Sequence, residues 1–298
     1  MQLKTLLKHP AINEWRLLGC ITLVMSLAVI GTASGLDLSR AESVSAMIAY
    51  SVRWSVPWLY LAFAASSLQQ LVGNDLSRWL LRNRKIMGLS FATGMTWQVS
   101  FILWLVIGHS DYYVNEVYVL RDAIEGLVGY ALLIAMTVTT FKFARSAMKP
   151  KHWKTLHRWG IYYLWAYAFS VYWHELFYYK EPDWVDYCYY LGGALSLLLR
   201  ITAWSKKQLQ QAEKQGRLAE ASSVPWSGLG AMLVVAGLLA AVMGLWWADM
   251  AYLYFWDVSS FSWLELYMPY WPFIPYLPMF LVLAGVALRV RGQTLRVH

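Results

Sequence analysis

Charged side chains are scarce in this chain. Lysine, arginine, aspartate and glutamate together make up only 14% of its 298 residues, whereas hydrophobic residues make up 59% and the mean hydropathy is +0.41. A soluble domain of this length does not need so much apolar material for its core, so the composition excludes an ordinary soluble protein. We therefore expect an integral membrane protein.

Cysteine and the usual catalytic motifs are also nearly absent. The two cysteines, Cys20 and Cys188, fall near opposite faces of the membrane in the topology predicted below. This excludes an intramolecular disulfide and a cysteine-rich metal site. No Ser-His-Asp arrangement, carboxylate pair or phosphate loop stands out, and no glycine-rich strand-turn-helix predicts a flavin or nicotinamide site. The sequence therefore predicts no catalytic residue.

A series of long apolar segments takes the place of such motifs. Each is long enough for a helix that crosses a hydrocarbon layer of roughly 30 Å, although the fifth is short and depends on its aromatic ends. The predicted fold is an all-α polytopic bundle of about eight transmembrane helices. The segments are 17–35, 53–72, 86–108, 123–144, 158–174, 186–203, 227–248 and 272–290.

The distribution of charge between these segments predicts the orientation of the bundle. With the N-terminus in the cytoplasm, the inner segments carry 21 of the 25 lysines and arginines, whereas 13 of the 17 acidic residues lie outside. Because positive loops stay on the cytoplasmic side, both termini are predicted to be cytoplasmic. The net charge of +8 then reflects topology and predicts no nucleic-acid partner.

The first apolar segment has an alternative interpretation. Lys4, Lys8 and Arg16 precede it and small residues follow it, as in a cleavable signal peptide. The basic region is long, however, and includes Pro10 and Glu14, which favours an uncleaved anchor. We therefore expect eight spans rather than the seven that cleavage would leave.

The pattern predicts four regions along the chain. Residues 1–49 form the first helix and an outer loop, 50–204 a central helical domain, 205–223 a charged cytoplasmic linker, and 224–298 a two-helix extension. The two helices of the extension are joined by an aromatic, proline-rich segment that we expect to lie along the outer membrane surface. The aromatic side chains of this segment, near 249–276, either anchor the chain at the membrane interface or form a contact surface for a membrane protein partner or a quinone.

The central domain contains four short motifs in an informative order. Val52–Trp54 opens span two, Arg84–Leu89 opens span three, Thr139–Thr140 ends span four, and Trp153–Arg158 opens span five. The second is similar to Arg-Arg-x-x-Gly-Leu and the fourth to Trp-x-x-Leu-His-Arg. In order, spacing and topology, residues 50–204 resemble the ferric-reductase-like transmembrane domain, in the branch of the bacterial MsrQ/YedZ haem subunits.

This resemblance implies a b-type haem between spans three and five, held by histidine axial ligands. It also implies electron transfer across the membrane to an outer acceptor. The family's three usual ligand positions correspond to Gln98, His157 and Ser170, of which only His157 is a histidine. Imidazole suits iron, whereas serine is a poor ligand and a glutamine amide a weak one. No metal other than a haem iron is predicted.

Two further histidines are candidates for completing a haem site. His174 lies one helical turn beyond Ser170, about 40° away around the helix, and His109 lies near the outer end of span three. By helix rise, His109 is about 16 Å beyond Gln98 and His174 is about 6 Å beyond Ser170, so the two are not level unless span three breaks. A five-coordinate haem on His157 or His174 alone is the remaining arrangement.

Each of these candidates also has a structural interpretation. His157 is placed to hydrogen-bond a headgroup or a loop carbonyl, His174 to pair with Glu175, and His109 to end a helix. Gln98, in the middle of its span, is predicted to bond to another helix, because an unsatisfied amide is costly inside a membrane.

A cluster of cations at the inner ends of the spans has two interpretations. Arg84, Lys85 and Arg158 are topology determinants, or they pair with haem propionates or with an acidic redox partner.

Two functions remain open at this point. In the first, the protein is a haem-b electron-transfer subunit that uses His157 and His174 and receives electrons from a separate redox protein or from quinol. In the second, the scaffold has lost its haem and serves as an accessory or assembly subunit of a larger membrane complex. The C-terminal helices and the aromatic segment would then supply the contact surface.

Overall fold

The computed structural model describes residues 2–177, 182–216, 225–244 and 274–294. In these ranges the chain is helical and contains no strand, which confirms the all-α prediction. The helices form two compact units, Met1–Tyr167 and Ala168–His298, and the division between them falls inside one long helix.

Twelve α-helices occur in the described ranges, and we number them in chain order. A 3-10 turn at Pro10–Ile12, a π-helical turn at Tyr113–Val117 and a 3-10 turn at Ile274–Tyr276 accompany them. The helices are α1 Gln2–Leu6, α2 Glu14–Ser34, α3 Ala41–Leu71, α4 Asp75–Arg82, α5 Arg84–Gly108, α6 Ser110–Tyr112, α7 Leu120–Val138, α8 Lys142–Ser146, α9 Pro150–Phe177, α10 Trp184–Lys214, α11 Pro225–Val242 and α12 Leu277–Thr294.

Several helices extend beyond the predicted spans. Residues 36–52, between the first two predicted spans, are predicted to form an outer loop. This prediction is wrong in its second part, because α3 begins at Ala41. The basic stretch before span five is helical, since α9 begins at Pro150, and α10 continues to Lys214 within the predicted linker. Hydropathy marks only the apolar part of a helix, whereas backbone hydrogen bonds continue into polar sequence. Residues 217–223 of the linker lie outside the described residues. So do residues 249–273, which are most of the aromatic segment.

Two of the described helices are both long and apolar enough to cross a membrane. They are α2 and α5, and only 17% and 22% of their most apolar windows are buried. A shorter apolar stretch, Gly228–Val242, lies in α11. A bundle of about eight spans therefore stays a prediction.

In the first unit, α3 and α5 approach each other closely through small residues. A Cβ atom added to Gly94 would lie 2.5 Å from Cβ of Ser55, so only glycine fits there. Ser51, Ser55 and Ser90 are fully buried, and each hydroxyl donates to a carbonyl of its own helix. Small residues with internally satisfied hydroxyls allow the two backbones to pack tightly.

An apolar cluster joins α3 and α5 to α2 near the C-terminal end of α5. It brings one residue of α2 against two of α3 and two of α5, and all five are buried: Val29, Val44, Met47, Phe101 and Leu105. The cluster fixes the rotation of α5, and with it the direction in which the candidate residue Gln98 points.

In the second unit, α11 and α12 form a hairpin whose backbones touch at glycines. A Cβ atom on Gly230 would lie 2.6 Å from the carbonyl oxygen of Gly285, and one on Gly237 would lie 2.6 Å from the carbonyl oxygen of Pro278. The hydroxyl of Tyr190 in α10 donates to the carbonyl of Ala241 in α11 at 2.9 Å, which joins a third helix to the hairpin.

Candidate functional site

His157, the one histidine among the three ligand positions that the resemblance implies, lies in the N-terminal part of α9 beside the end of α7. Its Nε2 atom is 3.0 Å from the hydroxyl oxygen of Thr139, the residue that follows α7. The indole nitrogen of Trp153 donates to the backbone carbonyl of the same threonine at 3.0 Å. The Trp153 and imidazole rings pack with their centroids 4.5 Å apart. Thr139 therefore receives two contacts from successive turns of α9.

The hydrogen bonds around Thr139 indicate which nitrogen of His157 carries the proton. The hydroxyl oxygen also lies 2.6 Å from the carbonyl of Ala135, to which it donates. A hydroxyl has one proton, so toward the imidazole this oxygen is an acceptor. His157 then donates from Nε2, and its lone pair is on Nδ1.

The surroundings of His157 favour the neutral imidazole. The residue precedes the apolar part of α9, and its burial lowers its pKa below the ordinary value. The positive charges of Arg84 and Arg145 lower that pKa further. Arg145 is held in place by the ring of Trp153, over which its guanidinium lies at 4.4 Å, and Arg84 donates from Nε to the carbonyl of Ala62 at 2.9 Å. The imidazole is therefore uncharged at neutral pH, in the electrostatic field of two cations.

Gln98 makes the hydrogen bond between helices that the sequence predicted. The hydroxyl of Tyr130 in α7 donates to its side-chain oxygen at 2.7 Å. The amide oxygen, which is the only atom through which glutamine binds iron, is therefore engaged by a neighbouring helix.

Ser170 and His174 belong to the second unit and face the same side of α9, as predicted. Ser170 is buried, and the Nδ1 atom of His174 lies 2.8 Å from its carbonyl oxygen. The serine hydroxyl is 3.5 Å from the same nitrogen. A carbonyl can only accept, so Nδ1 of His174 carries a proton in this arrangement.

His109 follows the last residue of α5, which confirms its interpretation as a residue at a helix end. Its backbone N–H donates to the carbonyl of Leu105, and its carbonyl accepts from the N–H of Tyr113. The half-buried residue thus joins α5 to the short turns after it.

The three predicted docking cations have different surroundings. Arg84 is tied to α3 through the carbonyl of Ala62 and lies near His157. Lys85 extends over the rings of Trp15 and Phe141, at 5.0 and 5.4 Å from their centroids. Arg158 is exposed. The structure therefore brings Arg84, but not Lys85, into the electrostatic neighbourhood of His157.

As arranged, these side chains fit hydrogen-bonded helix contacts better than a haem ligand set. Ligation by Nε2 of His157 would need this nitrogen to lose its proton and its bond to Thr139, and ligation by Gln98 would displace Tyr130. No group of three or more His, Cys, Asp or Glu side chains suited to a metal ion is present in the described part of the chain.

A polar cluster near the start of the chain was not predicted from the sequence. The buried Asn83, between α4 and α5, accepts from the backbone N–H of Glu14 at 2.9 Å and donates to the side chain of Asn13 at 3.1 Å. Arg82 donates to the same Asn13 oxygen at 2.7 Å, and Trp79 donates to the carbonyl of Ile12 at 2.9 Å. These bonds attach the start of α2 to the corner between α4 and α5.

Comparison of the chain with models of protein families, with curated proteins and with solved structures finds no match. The resemblance to the ferric-reductase-like domain therefore depends on the motifs quoted above.

Proposed function

We propose that this chain is a multi-pass protein of a bacterial inner membrane, with about eight spans and both termini in the cytoplasm. Apolar side chains are exposed along several helices, which supports the proposal. In α2, Leu23 and Leu27 are 60% and 61% exposed; in α7, Leu127 is 72% exposed; in α11, Val242 is 79% exposed. Each such side chain favours an apolar environment over water by about 1.5–3 kcal/mol, so lipid is the surrounding that suits these faces.

Within the membrane, we propose a haem-free accessory or assembly role on a scaffold that resembles the ferric-reductase-like domain. One observation carries this choice: two family ligand positions are used to join helices. His157 bonds to Thr139 after α7, and Gln98 bonds to Tyr130 in α7. Both bonds stabilise helix packing without a cofactor, and the partner would be another membrane protein.

A second candidate function, electron transfer through haem b, is favoured by the charges around His157. The pKa of this imidazole is lowered, so the ring is neutral as an iron ligand must be, and Arg84 and Arg145, whose charges contribute to this lowering, are of the kind that pairs with propionates. Haem, when bound, would supply one-electron chemistry. His157 would hold the iron, the two arginines would orient the propionates, and electrons would come from a redox partner or quinol.

The visible spectrum of the purified protein separates these two functions. After expression with sufficient haem, the haem-free proposal expects neither a Soret band nor an α-band on reduction. The electron-transfer candidate expects a Soret band that is lost in His157→Ala and kept in His109→Ala. That result would overturn the haem-free role and assign the ligand.

A further inference from the structure

An open cavity of about 460 Å³ runs along α5 in the first unit and takes no part in the site around His157. Its lining on α5 extends from Leu89 to Ser100, which corresponds to about 16 Å of helix. Leu18 of α2 and Thr137 of α7 form its sides. The cavity is therefore an elongated groove parallel to the helix axis, which suits a chain-like ligand.

The walls of this groove offer no free hydroxyl donors along α5. Thr93, Thr96 and Ser100 line it, and each hydroxyl donates to the carbonyl four residues earlier in its own helix. A hydroxyl that is satisfied in this way exposes mainly carbon atoms and acceptor oxygen. The surface therefore accommodates hydrocarbon and does not require a hydrogen-bonding ligand.

One end of the groove carries a positive charge. Trp15 and Phe141 line the groove and stack on each other with their centroids 6.1 Å apart. The ammonium of Lys85, one helical turn before Leu89, lies over both rings. Cation–π contacts hold this charge at the mouth of the groove while leaving the ammonium exposed to an anion.

We propose that this groove binds one acyl chain of an anionic phospholipid whose phosphate pairs with Lys85. The inference depends on the proposed membrane location and orientation, in which Lys85 lies at the inner surface, where anionic lipids supply the complementary charge. An elongated groove that accommodates hydrocarbon and has the Lys85 cation at one end matches a lipid with a charged headgroup and a long chain.

The test uses the full-length protein in nanodiscs that contain equal amounts of phosphatidylglycerol and phosphatidylcholine, followed by mass spectrometry of the retained lipid. Wild type is expected to retain phosphatidylglycerol preferentially. Lys85→Gln should lower this preference about fivefold, as expected for the loss of one cation near the surface. Lys214→Gln removes an exposed cation at the end of α10, about 16 Å of helix beyond the predicted end of span six, and should leave the preference unchanged.

A second variant tests the groove itself. Ala92→Phe adds a ring inside the lining and should abolish retention, whereas Lys85→Gln should keep a weakly bound lipid. Equal retention of both lipids by wild type, or of a quinone in their place, would overturn the proposal, as would unchanged retention in both variants. A protein that stays soluble without detergent would instead overturn the membrane location, and this inference with it.

Discussion

The first unit combines the close approach of α3 and α5 with side-chain hydrogen bonds between its elements, whereas the α11–α12 hairpin of the second unit is joined by bare backbone. His157 and Gln98 each bond to a residue outside their own helix, and Asn83, between α4 and α5, bonds to the start of α2. At Gly230 and Gly285 there is no side chain, and the two main chains come into direct contact. Inside a lipid layer the hydrophobic effect does not bring helices together, so polar bonds and close packing are the two means that remain.

This difference predicts how each unit responds to substitution. Removing a hydrogen bond lowers the free energy of unfolding by a smaller amount, because the group left behind can partly satisfy its bond elsewhere. A backbone contact leaves no room for any added atom, so the smallest side chain has a large effect. The expected changes in the free energy of unfolding, measured in detergent micelles, follow in order of size.

The largest effect is expected in the hairpin, for Gly230→Ala. Its new methyl group would lie 2.6 Å from the Gly285 carbonyl oxygen and would force the helices apart. We expect a loss of about 3 kcal/mol. Gly228→Ala is the matched control, since a Cβ there meets nothing within 4 Å. Equal effects of the two substitutions would show that the glycine contact is absent.

The next largest effect is expected for Asn83→Ala in the first unit. The variant leaves the N–H of Glu14 without its acceptor and removes one of the two donors to the Asn13 oxygen, the other being Arg82. Unsatisfied buried polar groups cost about 2 kcal/mol. The exposed Asn115→Ala should change the unfolding free energy little. If Asn83→Ala lowers the free energy of unfolding no more than the control does, the cluster around Asn83 does not stabilise the fold.

The bond between Thr139 and His157 is expected to contribute about 1 kcal/mol. A double-mutant cycle of Thr139→Val and His157→Ala measures it as a coupling energy. Thr202→Val is the matched control, because the Thr202 hydroxyl bonds only within its own helix. A coupling energy of zero would mean that the imidazole is not held by this threonine.

The smallest effect is expected for Tyr130→Phe, which removes the bond to Gln98. Hydrogen bonds between membrane helices contribute about 0.6 kcal/mol, since the separated helices find other partners. Tyr187→Phe, at a side chain that is 51% exposed, is the control. A loss above that of Asn83→Ala would reverse the order of the two sites.

Much of the fold follows from local sequence, whereas the helix pairs do not. Apolar length located the helices, helix rise placed His174 on the face of Ser170, and the cost of a buried amide predicted a partner for Gln98. The pairing of Gly230 with Gly285, or of Asn13 with Asn83, depends on the rotation of two helices far apart in the chain. Hydropathy carries no information on that rotation, so neither pair was predicted. Thr139 was recognised as part of a motif, but its contact with His157 required the turn through α8.

The proposed function and the proposed lipid groove both depend on the membrane location, and labelling of cysteines with a membrane-impermeant reagent tests it directly. The measurement uses Ser110→Cys or Lys207→Cys in a background with Cys20→Ser and Cys188→Ser; both positions are exposed. In intact cells whose outer membrane admits the reagent, we predict labelling at position 110 and none at position 207. Both should react once the inner membrane is opened. Equal labelling before that step, or labelling at position 207 alone, would contradict the topology.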